Sequence, residues 1–334
     1  MQTRTLPGTT VTTSALGLGC AGLFRLAARE DRAAVLRAAL SGGIRHFDSA
    51  PMYGLGRTET ELAPLLRPHR HDLTITTKFG IEASALGRMF GRVQGPIRMA
   101  LASRRSLQRK ALESGAGPTA GAAGRLLYKA AGYDAEGAAR SLHRSLRTLG
   151  TDYVDIFALH DPMGSALTDA PELVAYLDSQ VRAGTVRCWG IAGTLPPPGS
   201  AADRLIAHAG IVQQHDDVFE SAASLRRDKA LITFGCLSKA IPALRAYLAD
   251  TPGAGELWGE RLGADVQDPG VLAALLLREA LRRNDAGVVL FATTRPEGVL
   301  AATSAVADVD RTVEAAHLRA MVDAATSHLY PGRK

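Results

Sequence analysis

The sequence predicts an α/β protein built as a closed (β/α)₈ barrel of the TIM type, and three observations carry that prediction. Eight short apolar runs rich in β-branched residues recur along the 334 residues, most of them followed by a stretch with helical periodicity. The runs are near-continuously apolar, as strands covered by helices on one side and a core on the other must be. Eight such units close a barrel, and the chain has the length of one, so it is read as a single domain, 1–334.

Residues 1–15, rich in threonine around Pro7-Gly8, read as an N-terminal β-hairpin. Residues 16–19 form the first core strand. A helix over 31–40 stops at Ser41-Gly42-Gly43. The second strand covers 44–47, a helix covers 58–66 with Pro68 beyond it, and the third strand covers 73–77. The helix over 134–149 has Asp134 as N-cap, keeps Ala138, Leu142, Ser145-Leu146 and Leu149 on one side, and stops at Gly150. The fourth strand covers 154–159, a helix 171–182, and the fifth strand 185–191. Strands over 211–213 and 231–234 follow, then a helix over 271–283, a last strand over 288–291 and two closing helical segments.

A doubly wound open sheet is the competing architecture. Its dinucleotide fingerprint has only a look-alike, Gly17-Leu18-Gly19-Cys20-Ala21-Gly22, which lacks a full apolar strand before it and a helix starting from it. A tight passage of the first strand across the barrel mouth explains these glycines better. One segment breaks the rhythm. Residues 80–132 form a long insertion after the third barrel strand, rich in Arg, Gly and Ala. Such a length serves a function or stays loose; a lid over the mouth, a loop and an oligomer contact all fit.

Composition narrows the function classes. The formal charge of +6 is small for this length, and no nucleic-acid motif accompanies it. The three cysteines, Cys20, Cys188 and Cys236, have no metal-motif spacing and read as buried thiols in a reducing compartment. Apart from His69 and His71 the histidines are dispersed, so no metal site is expected. No apolar run reaches membrane-spanning length, and residues 1–13 lack a secretory signal pattern. A cytoplasmic location is the default expectation. Oligomeric state is not legible.

The chemistry sits at strand ends. Asp48 ends the second strand, Lys78 the third and His160 the fourth, and Tyr53 follows Asp48 by five residues. Singly, each has a bland reading as a turn residue, rim aromatic, surface charge or packed histidine. Together they point to one mouth, where strand C-termini converge. A phenol with an ordinary pKa of about 10 exchanges protons poorly at neutral pH. A lysine cation beside it is expected to lower that value, Asp48 to supply the counter-charge, and His160 to hydrogen-bond a substrate oxygen. His46 reads as structural.

These residues stand in stretches that resemble the aldo-keto reductase superfamily: Leu16-Gly17-Leu18-Gly19, then Gly43 through Asp48-Ser49-Ala50-Pro51-Met52-Tyr53-Gly54, and Thr76-Thr77-Lys78-Phe79-Gly80. Leu149-Gly150-Thr151-Asp152-Tyr153-Val154-Asp155-Ile156, leading to His160-Asp161-Pro162, continues the likeness, which is nearest to the bacterial sugar or aldose dehydrogenase-like branch. The resemblance implies a barrel that binds NADP or NAD, with NADP slightly favoured, and Tyr53 as acid in reduction and base in oxidation. It implies that Gln213 holds the nicotinamide carboxamide, that Phe234 stacks under the ring, and that Gly19 and the loop Gly235-Cys236-Leu237 face the cofactor. Thr293, Thr294 and Arg295 would meet the adenosine ribose phosphate. The usual Ser-Asn pair after the fifth strand is absent, with Ile191-Ala192-Gly193-Thr194 standing there, and Gly298, Ala301 and Ala302 stand where charged or amide side chains are usual, which thins the adenine clamp. Phe24, Met52, Phe79 and Trp189 are expected to shape the substrate pocket, with plain core as the other reading of Trp189 inside its strand, and Arg25 with the basic insertion points to an anionic or polyol substrate. The expected function is an NAD(P)-dependent oxidoreductase acting on a small-molecule carbonyl or alcohol. The alternative is a weakly catalytic or non-catalytic barrel that senses cofactor or assists a pathway.

Overall fold

The computed structural model describes residues 1–91, 126–162, 170–195, 202–220, 225–307 and 312–329. Strands β1 (Thr3–Thr5) and β2 (Thr12–Ser14) pair antiparallel as the expected hairpin. The barrel opens with β3 (Leu16–Gly19), β4 (His46–Asp48) and β5 (Thr74–Phe79). A short antiparallel ribbon follows, β6 (Ile81–Ala83) with β7 (Tyr128–Ala130). The barrel resumes with β8 (Val154–His160), β9 (Val186–Ala192), β10 (Ile211–His215), β11 (Ala230–Phe234) and β12 (Val288–Phe291). These eight strands are parallel and close in chain order, with β12 beside β3.

Side-chain alternation along each strand divides the core in two. One set points outward to the helices and includes Leu18, Phe47, Ile75, Phe157, Trp189, Val212 and Val289, packed with Val35, Leu62, Leu142 and Leu177 from the helices. The other points inward. Ile156, Cys188, Ile232, Val288 and Leu290 meet there with Leu6 and Val11 of the hairpin, so the N-terminal ribbon seals the end of the barrel where strands begin. Fully burying such side chains contributes roughly 1.5–3 kcal/mol each.

The strong helix is Ala135–Leu149. The Asp134 carboxylate accepts from Gly137 N–H at 2.6 Å, and Gly150 ends the helix in the left-handed region at φ 67°. Two helices that periodicity left unspecified, Ala240–Asp250 and Ala254–Leu262, follow β11 and precede the helix Pro269–Arg283. They form a second apolar cluster in which Leu244, Trp258, Leu272 and Leu276 meet Leu318 and Val322. The three cysteines are free and buried. No helix among the described residues is long and apolar enough to cross a membrane.

The insertion leaves the barrel through a pinned root. Ile81 pairs with Ala130, and the buried Glu82 carboxylate holds Lys129 Nζ at 3.0 Å and also Arg144. Residues 92–125, the body of the expected insertion, lie outside the described residues, and with them the reading of a lid.

Where β9 meets β10, a Cβ added to Gly190 would stand 2.5 Å from the Ile211 carbonyl oxygen. Gly190→Ala is therefore expected to lower stability by about 1–3 kcal/mol through overpacking. Urea unfolding checks this, and an unchanged midpoint contradicts so close an approach.

Candidate active site

The barrel register brings the strand ends to one mouth. Asp48 lies level with Gly19 and Thr76, Lys78 is two residues farther along β5, and His160 ends β8 opposite Ala192. Asp48, Lys78 and His160 fall on the inward phase of their strands. Tyr53 comes from the loop after β4. Its approach depends on Gly54, whose φ is 58° and which packs on the Phe24 ring; a Cβ there would stand 2.3 Å from that ring.

Lys78 is the centre of the contacts. Its ammonium donates to both Asp48 oxygens, at 2.7 and 2.6 Å, to the Ser49 carbonyl at 3.0 Å and to the Tyr53 hydroxyl at 3.3 Å. The Tyr53 ring stands edge-on to His160 with centroids 5.5 Å apart. The side chain of Lys78 is 1 % exposed. Burial pulls its pKa down, yet the pull of Asp48 and then of Tyr53 leaves it above the ordinary lysine value. The lysine stays charged.

The phenol corrects one expectation. Burial pushes the Tyr53 hydroxyl up to about 12, against Lys78, which draws it down; Asp48 and Asp161 add to the upward push. The cation alone favours phenolate, as the sequence implied. Its field is offset by the carboxylate bonded to it, and loss of solvent then wins. Tyr53 is thus a firmly protonated donor with a cation in place to hold the phenolate that forms when the proton leaves. His160 is pushed down to about 3, by burial first and by Lys78 second, so it is neutral. Its Nδ1 is buried without a hydrogen-bond partner among the described residues. His46 also faces inward, bonded through Nε2 to Thr76 Oγ1 at 3.2 Å, which is a structural use.

Asp48, Tyr53, Lys78 and His160 form the floor of a cavity of about 760 Å³. Gly19, Gln213 and Phe234 line it from β3, β10 and β11, and Gly235, Cys236 and Leu237 line it from the loop after β11. Thr293 and Arg295 line it after β12. Thr294 does not; the Arg295 N–H bonds Thr293 Oγ1 at 3.2 Å in a tight turn that leaves the middle residue outside.

Four expected pocket residues also stand outside the lining. Phe79 follows Lys78 on β5, so it points the other way, where it stacks on Phe157 at 4.8 Å. Trp189 pairs with Phe157 in register, shares the outward face, and donates its indole N–H to Asp178 at 2.9 Å. Phe24 lies under the Gly54 turn with the Arg32 guanidinium 4.4 Å above its ring, and Met52 is buried. Phe24 supports the loop that carries Tyr53.

Two residues near the floor were missed. The Tyr133 hydroxyl donates to the His160 carbonyl at 2.5 Å, and its ring packs on Gly80 (φ 106°). Asp161 lines the cavity beside His160. Its position next to that histidine was the only sequence signal; Tyr133 had none.

The lining fits a nicotinamide nucleotide. Gln213 is buried with its Oε1 unpartnered among the described residues, an acceptor suited to a carboxamide N–H. Phe234 offers a partly open aromatic ring, Gly235 leaves its backbone uncovered, and Arg25 and Arg295 add positive charge suited to phosphate. Outside the floor, His215, Asp217 and Glu220 place potential ligand atoms within 4.8 Å of one another. Asp217, however, already accepts the Phe219 N–H at 2.9 Å and faces His215 at 3.6 Å.

Removing one member of the buried pair strands the other. Lys78→Met and Asp48→Asn are each expected to cost about 3–5 kcal/mol, and the double variant less than their sum. Urea titrations of the four proteins test this, and additive losses contradict the pairing. The pKa of His160 gives a second expectation. Its ring proton resonances stay flat between about pH 5 and 8, where an ordinary histidine titrates. A midpoint near neutrality contradicts the buried, cation-facing setting.

Residues 15–196, more than half of the chain, match the family model described as Aldo/keto reductase family. Over 82 residues the chain is 46% identical to the pyridoxal 4-dehydrogenase of Microbacterium luteolum, covering 24% of each protein. Over 70 residues it is 43% identical to the D-threo-aldose 1-dehydrogenase of a Pseudomonas species, covering 20% of this chain and 21% of that one. The chain thus spans less than a quarter of the length of either curated relative. The glycerol dehydrogenase of Gluconobacter oxydans has a similar fold, with a TM-score of 0.68 at 18% identity over 99% of this chain and 97% of that chain. An aldo-keto reductase of Bacillus halodurans gives 0.64 at 19% identity over 95% and 96%. With the barrel, the strand-end residues and the matched family stretch all in agreement, this chain belongs to the aldo/keto reductase family.

Proposed function

We propose that the protein is an NAD(P)-dependent oxidoreductase that interconverts a carbonyl and an alcohol, with Tyr53 as the acid and base. The observation that carries this reading is the Lys78 ammonium, held between the Asp48 carboxylate and the Tyr53 hydroxyl at 3.3 Å on the floor of the cavity. In reduction Tyr53 gives its proton to the carbonyl oxygen as the carbonyl carbon accepts a hydride. Lys78 then stabilises the phenolate, and neutral His160 donates to the same oxygen through one ring nitrogen. In oxidation the phenolate recovers the proton from the alcohol. The nicotinamide supplies or accepts the hydride when bound.

Gln213 would hold the carboxamide, Phe234 would lie against the ring, and Arg295 with Thr293 would meet the ribose phosphate. Arg295 favours NADP over NAD. The lack of charged side chains at Gly298, Ala301 and Ala302 in the cavity wall supports only modest affinity. The names of the two curated relatives, a pyridoxal and an aldose dehydrogenase, support an aldehyde or a sugar hemiacetal as substrate. A barrel that binds cofactor without turnover is the competing reading.

Purified protein with NADPH or NADH is expected to turn over members of an aldehyde and sugar panel. Tyr53→Phe is expected to lower kcat by about 10²–10⁴-fold, the usual worth of general acid catalysis. Quenching of protein fluorescence by NADPH is expected to persist in that variant. Cofactor binding without any turnover by the parent protein supports the sensor; loss of quenching together with turnover contradicts the division of roles.

A further inference from the structure

The floor carries a carboxylate that the proton-transfer groups leave without a task. Asp161 follows His160 on the turn out of β8, lines the cavity, and keeps half of its side chain open, at 54% exposure. Its Oδ2 lies 3.9 Å from His160 Nε2.

The backbone holds Asp161 there at some cost. Its φ is 45°, one of two positive values among the described non-glycine residues. The side chain folds back over Gly193, where a Cβ would stand 2.2 Å from Asp161 Oδ1, so only glycine leaves room for it. Asp161 N–H donates to the Ala192 carbonyl at 2.7 Å, and the Tyr133 hydroxyl lies 3.3 Å from the Asp161 carbonyl. The carboxylate also accepts the Thr194 N–H, which opposes the rise in its pKa caused by burial. Residues 192–194 at the end of β9, together with Tyr133, thus fix a negative group at the edge of the reacting position. Elsewhere in the lining, Asp48 is spent on Lys78. Asp161 is the acidic group of the described lining left to face a ligand.

We propose that Asp161 is a specificity-determining residue: its carboxylate accepts a hydrogen bond from a hydroxyl on the carbon next to the reacting carbonyl, and repels substrates that carry a carboxylate there. This rests on the oxidoreductase reading and deepens it. An acceptor of full charge makes a stronger bond to a hydroxyl than a neutral one, and an analogue without the hydroxyl leaves the carboxylate facing an apolar group. Of the two substrate types that Arg25 and the basic insertion suggested, the polyol fits this floor and the anion does not.

The test compares kcat/KM for glycolaldehyde with that for propanal, which replaces the hydroxyl by a methyl, and for glyoxylate, which carries a carboxylate, each with NADPH. The parent protein is expected to prefer glycolaldehyde to propanal by about 10- to 100-fold, the worth of a charged hydrogen bond. Asp161→Asn and Asp161→Gly both tolerate a positive φ, so they keep the turn. Both are expected to bring the ratio close to one, and Asn to raise glyoxylate relative to glycolaldehyde. A parent ratio near one overturns the proposal, and so does a ratio that survives both substitutions in variants that still quench with NADPH. A purely structural Asp161 would shift the melting temperature and leave the ratio alone. Absence of turnover on any carbonyl removes the oxidoreductase reading itself, an outcome distinct from turnover without discrimination.

Discussion

The site depends on burying a charge that would not be tolerated alone. Lys78 is 1 % exposed inside the barrel, and the Asp48 carboxylate first, then Tyr53 and the Ser49 carbonyl, make that burial stable. Much of the local sequence serves this pair. The inward phase of β4 and β5 sets the two side chains face to face, and the short loop from Asp48 returns Tyr53 over the ammonium. The pair is close to neutral as a unit. It therefore does little to make Tyr53 a free phenolate, and much to receive one formed in place.

His160 is held from the opposite side by a different device. Its carbonyl is gripped by Tyr133, whose ring lies in the space that Gly80 leaves. Gly80 follows β5 and Tyr133 precedes the helix Ala135–Leu149, so both flank the insertion. The floor of the cavity is thereby fixed by the residues at which the insertion leaves and rejoins the barrel. Asp161 shares that support, since its own carbonyl faces the same hydroxyl.

Much of the fold was legible because barrel strands are short, apolar and separated by helical periodicity. The eight runs were found nearly in place. Their C-terminal ends fell one to two residues later at β4, β5, β8, β9 and β10, since the residues there, several of them polar, still pair with neighbouring strands. The strand-end trio Asp48, Lys78 and His160 was legible for the same reason: a carboxylate, an amine and an imidazole close consecutive apolar runs. The outward placement of Phe79 and Trp189 follows from alternation once the strand bounds and the inward phase of Lys78 and Ala192 are known. Tyr133 escaped because its partner is a backbone carbonyl, which leaves no trace in residue type. The pKa of Tyr53 escaped because burial of the phenol, the largest cause of its rise, leaves no mark in the order of residues.

The root of the insertion has a consequence for how such a barrel can change. Ile81 and Ala130 face each other across an antiparallel ribbon, the Ala131 N–H donates to the Gly80 carbonyl at its base, and Glu82 clasps Lys129 and Arg144 beside it. The two ends of the excursion are therefore stapled at the spacing of a hairpin, whatever lies between them. Segments of differing length or composition could be exchanged beyond that staple while the proton-handling floor stays where it is. A lineage could thus diversify its outer rim by cut and graft, with the inner machinery carried along unaltered.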